Sequence, residues 1–217
     1  MITGRNIISY AANATDYVSL AEAKQHLRVN QSNDDAYISG LIEMALQTCS
    51  QYVGYSIRKA SVVYGYDSLV GQPSIMNPVN GTQQPVGNLL RIPSRVLSLT
   101  TVQYIDDNNA IQSFTDYIVS PEPFGQFGRT LFFNTAPTTI TDDVTKYLAT
   151  VTEGFEVSSG EGINESDVFP QAIKFAALLL VGQYYDNRQS IVTGTIQSRL
   201  EYGFQYLLDG YKINTFI

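Results

Sequence analysis

The spacing of apolar residues changes twice along this chain, and the change fixes the class of fold open to it. Between Ser19 and Val53 the apolar positions recur at intervals of three and four. Between about residues 57 and 155 short Val- and Tyr-rich runs alternate with Gly, Pro and Asn clusters. From Pro170 to Leu208 the helical interval returns. A period of 3.6 buries one face of a helix and a period of two buries one face of a strand, so no single element type accounts for all three stretches. The chain reads as α+β, a helical bundle of about four helices, two N-terminal and two C-terminal, with an inserted small antiparallel β module.

The boundaries follow from local chemistry. Residues 1–17 carry little pattern and read as an N-terminal arm that orders on a neighbour or stays disordered. Ser19 followed by Glu22 is a capping box, and Leu20, Ala23 and Leu27 give a short amphipathic helix ending near Val29. Asp34 and Asp35 place negative charge at the start of a second helix, where the dipole favours it. Its stripe is Ile38, Leu41, Ile42, Ala45, Leu46, Cys49, Tyr52 and Val53, and Gly54 fits the position just past its end. Strands are expected over Ala60–Leu69, Leu89–Ile92, Val96–Ile105, Ile111–Phe114, Tyr117–Val119, Thr130–Phe133 and Leu148–Thr152, with Asp106–Asn109 as a hairpin turn. Residues 70–88 hold three Pro and form a long loop. Pro170 opens a third helix whose apolar residues run most of the way round, from Ile173 to Tyr184 with Phe175, Leu178 and Leu179 off the main stripe. That pattern predicts a central helix buried on more than one side. A last helix is expected over Ile196–Leu208. The division is therefore an arm at 1–17, a discontinuous helical domain at 18–56 and 156–210, the β module at 57–155, and a tail at 211–217.

Composition narrows the function classes. In 217 residues, 44% are hydrophobic, enough for a real core, but only 15% are charged, against the usual quarter. The formal net charge is −7, which leaves no general affinity for nucleic-acid backbones. The single cysteine, Cys49, lies on the apolar stripe and reads as an inert buried thiol. No apolar run approaches membrane-spanning length and the N-terminus lacks a signal-peptide pattern. His26 is the only histidine and has no metal-ligand companions, so it reads as a helix-surface residue. Asp106-Asp107-Asn108-Asn109 lacks the alternation, glycine and terminal Glu of a calcium loop. Gly160-Glu161-Gly162 is too short to cradle phosphate. Fifteen Tyr and ten Phe, with Tyr64 and Tyr66 on one strand face, have no basic groove beside them and read as core and interface packing. No metal, cofactor or catalytic set emerges, and the chain is expected to be non-enzymatic.

Several segments resemble, in order and spacing, the head–tail connector (adaptor) family of tailed bacteriophages. The likeness begins at Val18-Ser19-Leu20-Ala21-Glu22-Ala23-Lys24 with Leu27-Arg28, and continues through Asp34-Asp35 with Ile38 and Leu41-Ile42. It includes Ile92-Pro93 and Val96, where Arg95 replaces a second proline, then Val102-Gln103-Tyr104-Ile105-Asp106. Tyr117 with Val119, Val151 to Phe155, Phe169-Pro170 with Tyr184 to Arg188, and Leu207 to Lys212 complete it. The 70–88 loop is longer than the family pattern.

The resemblance implies a ring-building subunit of the virion neck, twelve-fold, made in the bacterial host cytoplasm. Its partners would be the portal protein above, the next neck or tail protein below, and genome DNA passing through the channel without specific binding. An acidic, Lys-poor wall suits such a channel because it does not grip the backbone. The C-terminal segment Tyr211, Lys212, Ile213, Asn214, Thr215, Phe216 and Ile217 would either fray or hook into the portal. Arg188, beside Asp186 at the end of the central helix, either is a cation facing the helix dipole or forms an intersubunit salt bridge. Two other readings remain beside this one. The chain could be a tail-side adaptor or tail-completion protein that never meets the portal. It could also be a carboxylate-based hydrolase, for which Asp106/Asp107 and Asp142/Asp143 are the candidate pairs, though both lie in turn-like segments.

Overall fold

The computed structural model describes residues 2–69, 75–76, 83–84, 89–119, 129–135, 137, 144–159, 167–187 and 201–213. It is α+β and divides into two compact units. The first comprises Met1–Ser9 and Ala60–Glu153, the second Tyr10–Lys59 and Gly154–Ile217.

The first unit is built of antiparallel strands. β1 (Ile2–Tyr10), β2 (Ala60–Tyr66), β6 (Val96–Ile105), β7 (Ile111–Ser113) and β10 (Tyr147–Glu153) form a five-stranded sheet in the order β1-β2-β10-β6-β7. β5 (Leu89–Ile92), β8 (Tyr117–Val119) and β9 (Arg129–Phe133) form a second sheet in the order β5-β9-β8. β3 (Ile75–Met76) and β4 (Gln83–Gln84) pair as a small hairpin within the expected long loop. β10 is the hub of the larger sheet, with Val151 opposite Val62 on one side and Leu99 on the other. Alternate residues of β2 and β10 (Val62, Tyr64, Tyr66, Tyr147, Ala149, Val151) meet Leu90, Ile92, Leu131 and Phe133 of the smaller sheet in one core. Phe133 organises its aromatic end. Its ring stacks on Phe114 at 5.0 Å and meets Tyr147 edge-on at 6.1 Å.

The expected arm over residues 1–17, ordered on a neighbour or disordered, is instead in part a strand of this chain's own sheet, β1. Thr3 Oγ1 lies 2.8 Å from Thr145 Oγ1, and Ile7 packs against the core. Arg5 Nε donates to Tyr64 Oη at 3.1 Å. Arg5 Nη2 donates to Glu153 Oε1, and Tyr64 Oη donates to Glu153 Oε2 at 2.7 Å. Glu153 is fully buried, so this cation and phenol supply its polar partners there. Burial, then the Glu153 charge, push the Tyr64 phenol well above its ordinary value. Gly65 makes room beneath β1: a Cβ there would sit 2.9 Å from Thr3 Oγ1.

The β6–β7 hairpin turns as the Asp-Asn run predicted. Asp106 Oδ1 accepts from the N–H groups of Asn108 and Ala110, both at 2.9 Å, and Oδ2 accepts from Gln112 Nε2 at 2.8 Å. Asn109 takes the left-handed conformation at φ 59°. The Gln112 amide first, then the Ala110 N–H, hold the Asp106 carboxyl below its ordinary value. A carboxylate depressed in the folded state stabilises it above the unfolded value of about 3.9 and loses that effect as pH falls through the lower folded value. Amide exchange at Asn108 and Ala110 is therefore expected to be slow at neutral pH and to accelerate, beyond the intrinsic trend, below about pH 4. Exchange that follows only the intrinsic trend through that range would show that the carboxylate does not hold the turn.

The second unit is helical: α1 (Ala14–Tyr17), α2 (Leu20–Leu27), α3 (Asp35–Val53), α4 (Gln171–Asp186) and α5 (Glu201–Leu208). The capping box is present. Ser19 Oγ accepts from the Glu22 N–H at 3.2 Å, and Glu22 Oε2 accepts from the Ser19 N–H at 2.9 Å. Lys174 Nζ, 2.9 Å from Glu22 Oε1, is the main reason the Glu22 carboxyl lies below its ordinary value. α3 buries Ile38, Leu41, Ile42, Ala45, Leu46, Cys49 and Val53, and Gly54 ends it at φ +90°. Pro170 occupies the N-cap of α4 at ψ 140°, one position earlier than expected. α4 packs against α2, α3 and α5. It is not buried all round: Phe175 remains 57% exposed, and Leu179, which lies beside Gly203 of α5, remains 40% exposed.

Around the start of the returning chain an aromatic cluster replaces aliphatic packing. Tyr17 Oη donates to the Phe155 carbonyl at 3.0 Å and accepts from the Lys59 N–H at 2.7 Å. Phe155 in turn meets Tyr55, Phe169 and Tyr211. Gly154 precedes it at φ +110°, pressed against the Arg58–Lys59 peptide.

Candidate functional site

The sequence offers three kinds of candidate: ionisable residues for chemistry, the end of the central helix, and the C-terminal tail. The structure separates them.

The ionisable candidates are dispersed. Among the described residues no group of three His, Cys, Asp or Glu side chains is placed to hold a metal ion. His26 is exposed on α2, beside Gly182 of α4. Asp106 is occupied by its turn and Asp107 lies at the exposed hairpin tip. Asp142, Asp143 and the Gly160–Gly162 segment lie outside the described residues. Cys49 is buried within α3, and burial pushes its thiol up to about 12. Tyr64 and Tyr66 are core residues, with the Tyr66 Oη donating to the Arg91 carbonyl at 3.0 Å. No helix of the described residues is long and apolar enough to cross a membrane.

Asp186 is the last residue of α4 and is exposed. Arg188, its expected partner, lies outside the described residues. The same turn of α4 is fixed by its tyrosines. Tyr185 Oη donates to Asp34 Oδ2 at 2.6 Å, and Tyr184 Oη lies 3.2 Å from Thr48 Oγ1. The direction in which Asp186 is presented is thus set by hydrogen bonds to α3, a feature the sequence did not signal.

The tail expected over 211–217 is tied down at its start. Tyr52 Oη donates to Asp209 Oδ1 at 2.5 Å, and the Lys212 ammonium lies 4.8 Å from the centre of the Tyr52 ring. Tyr211 meets Phe155 edge-on at 6.2 Å, and the Ile213 N–H donates to the Val53 carbonyl at 3.1 Å, at the last turn of α3. Residues 211–213 therefore belong to the folded helical unit. Asn214, Thr215, Phe216 and Ile217 lie outside the described residues. The sequence missed this anchoring because its partners, Tyr52 and Val53, stand more than 150 positions earlier; the Tyr52–Asp209 separation alone is 157.

Residues 17–92, from the end of α1 through α2, α3 and β2 to β5, match the family of phage gp6-like head-tail connector proteins. No curated protein matches the chain in sequence. Among solved structures, a chain from the neck of an empty gene transfer agent particle, computed with C6 symmetry, superposes with a TM-score of 0.67. The match covers 97% of this chain and 95% of that one at 15% identity. A chain from the virion of a native gene transfer agent particle matches with a TM-score of 0.64, over 96% and 94% of the two chains at 15% identity. A chain from the neck of the native particle, computed with C12 symmetry, matches at 0.63 over 98% and 94%, also at 15% identity. Over residues 17–92 this chain matches the pattern of the phage gp6-like head-tail connectors, and over 97% of its length its fold is similar to that of a chain from the neck of a gene transfer agent particle.

Proposed function

We propose that this protein is a structural, non-enzymatic subunit of a head–tail neck that assembles into a ring of twelve copies between the portal and the tail. The observation that carries the reading is the likeness to neck proteins, which runs the length of both chains and includes both units. In this reading the four longer helices of the second unit form the connector bundle and the β unit is an insertion into it. The virion neck is its place, after synthesis in the host cytoplasm. The portal lies on one side of the ring, the next neck or tail protein on the other, and the genome passes through without being gripped. The net charge of −7 supports the last point, since binding DNA requires cations to replace the counterions of the phosphates. Asp186 and Arg188 would bridge neighbouring subunits, and the C-terminal segment would reach the portal.

The anchored start of the tail refines the test. Removing residues 211–213 strips Phe155 and Tyr52 of packing partners, so loss of portal binding in that variant confounds contact with stability. Deleting 214–217 leaves those contacts in place. Mass photometry of the intact chain mixed with the portal ring of the same genome is expected to give a species heavier than the portal by a whole ring of subunits. The 214–217 deletion is expected to keep its melting temperature and lose that species. A chain that never joins the portal would overturn the neck-ring reading in favour of a tail-side adaptor. Undiminished binding by the truncated chain would remove the tail from the contact while leaving the ring intact.

A further inference from the structure

Both ends of the five-stranded sheet are open: among the described residues no strand lies beyond β1 on one side or β7 on the other. An unpaired strand edge is a template for another chain. Soluble proteins usually blunt it with lysine, proline or a very short strand. β1 has none of these. It is nine residues long, Ile-Thr-Gly-Arg-Asn-Ile-Ile-Ser-Tyr, and its one charge, Arg5, is turned to Glu153 and Tyr64 of its own unit. Ile8 is 57% exposed on it, and Ile111 of β7 is 58% exposed at the opposite end of the sheet. β7 is uncharged as well, with Gln112 and Ser113 completing it, although at three residues it is itself a short strand.

From these edges we infer that β1 of one copy pairs with β7 of the next, so that the sheet continues from subunit to subunit. The inference rests on the ring reading and names the surface that closes it. Three observations select a second copy of this chain as the occupant. A chain of net charge −7 repels its own kind, and these two edges carry no uncompensated charge at their described residues. The edges are different from each other, as a head-to-tail contact in a closed ring requires, whereas a two-fold dimer would use one edge twice. Their strand directions also match. Arg5 reaches Tyr64 and the Ala11 N–H donates to the Lys59 carbonyl, so β1 runs antiparallel to β2. Counting across the antiparallel pairs to β7 brings its direction back to that of β1, and a rotation about a ring axis then sets the two edges side by side in parallel. Parallel pairing over so short a β7 is weak for one contact and becomes stable when the ring closes.

The test uses the full chain with thiols at the two edges, since Cys49 is buried and offers no competing site. The double variant Ile8→Cys/Ile111→Cys, with and without the portal ring, is treated with a short bis-maleimide and run on a denaturing gel. A ladder of covalent multimers is expected, absent from either single variant. In parallel, Ile8→Lys/Ile111→Lys, which adds charge only at exposed positions, is expected to keep the wild-type melting temperature and to lose the ring in mass photometry. Rings of wild-type chain without a ladder from the double-cysteine variant, or rings formed equally by the lysine variant, would overturn the edge pairing and leave the ring reading standing. Dimers from Ile8→Cys alone would replace it with a symmetric contact. Absence of both ladder and ring, with portal present, would take down both readings together.

Discussion

Gly154→Ala is expected to cost about 3 kcal/mol or more and to lower the melting temperature by roughly 6–12 °C, or to leave the chain insoluble. Two effects combine. The residue sits at φ +110°, a conformation that a Cβ disfavours in any surroundings. The Cβ would also lie 2.5 Å from the Arg58 carbonyl oxygen, 2.7 Å from its carbon and 2.9 Å from the Lys59 nitrogen. Those are backbone atoms, and the segment that holds them has little freedom to retreat. Arg58 is buried, its guanidinium donates to both carboxylate oxygens of Glu43 at 3.1 and 2.5 Å, and it stacks 3.7 Å above the Tyr10 ring. The Phe155 N–H donates to the Ile57 carbonyl at 3.0 Å on the adjoining residue. Gly40→Ala is the matched control. Gly40 lies within α3 with open space where a Cβ would go, so alanine there is expected to raise stability by about 0.5–1 kcal/mol. Thermal melts of the two variants beside the wild type would decide it, and a Gly154→Ala protein that melts with the wild type would show that the Arg58 segment yields freely.

Arg5→Ala is the second large effect. It removes the cation that meets a fully buried carboxylate, and such a loss typically costs about 3–5 kcal/mol. The Arg5 side chain is itself 31% exposed, so water offsets part of the loss and about 2–3 kcal/mol is expected. The double variant Arg5→Ala/Glu153→Gln should recover part of this, because the amide carries no charge to leave uncompensated and can still accept from Tyr64. Urea unfolding of the wild type, both single variants and the double variant forms the cycle that isolates the pair. Simple additivity would mean that Arg5 acts only through packing.

Local chemistry was legible in the sequence wherever the deciding contacts are close along the chain. The Ser19–Glu22 cap, the α3 stripe with Gly54, and the Asp106 turn each rest on residues within a few positions of one another, and each lies where the pattern placed it. The strands β5 to β8 likewise follow the Val- and aromatic-rich runs between turn clusters. What escaped is held by distant partners. Residues 2–10 lack a clean two-residue alternation, and their strand character comes from β2 and from an ion pair 148 positions away. The glycine demand at 154 comes from the backbone of Arg58, which no local pattern around Gly154 encodes. The exposure of Phe175 and Leu179 was hidden for the opposite reason: composition reveals that a helix is apolar but not how many neighbours it has. The anchoring of residues 209–213 to α3 belongs to the same class.

The place of β10 at the middle of the larger sheet also governs when the protein can fold. β2 and β6 do not pair with each other; each pairs with β10, which is the last of the five strands to be synthesised. At about 5–20 residues per second, the ribosome needs roughly 4–16 seconds to travel from the end of β2 to the start of β10. Throughout that interval β1 and β2 can form at most an isolated hairpin closed by some fifty residues, which is unstable in water. The sheet therefore nucleates late and in one step, on arrival of a single strand. Until β10 arrives, Arg5 of β1 also lacks Glu153, so the edge suited to a neighbouring copy carries an unpaired charge while nascent and becomes electrically quiet only when the sheet is finished.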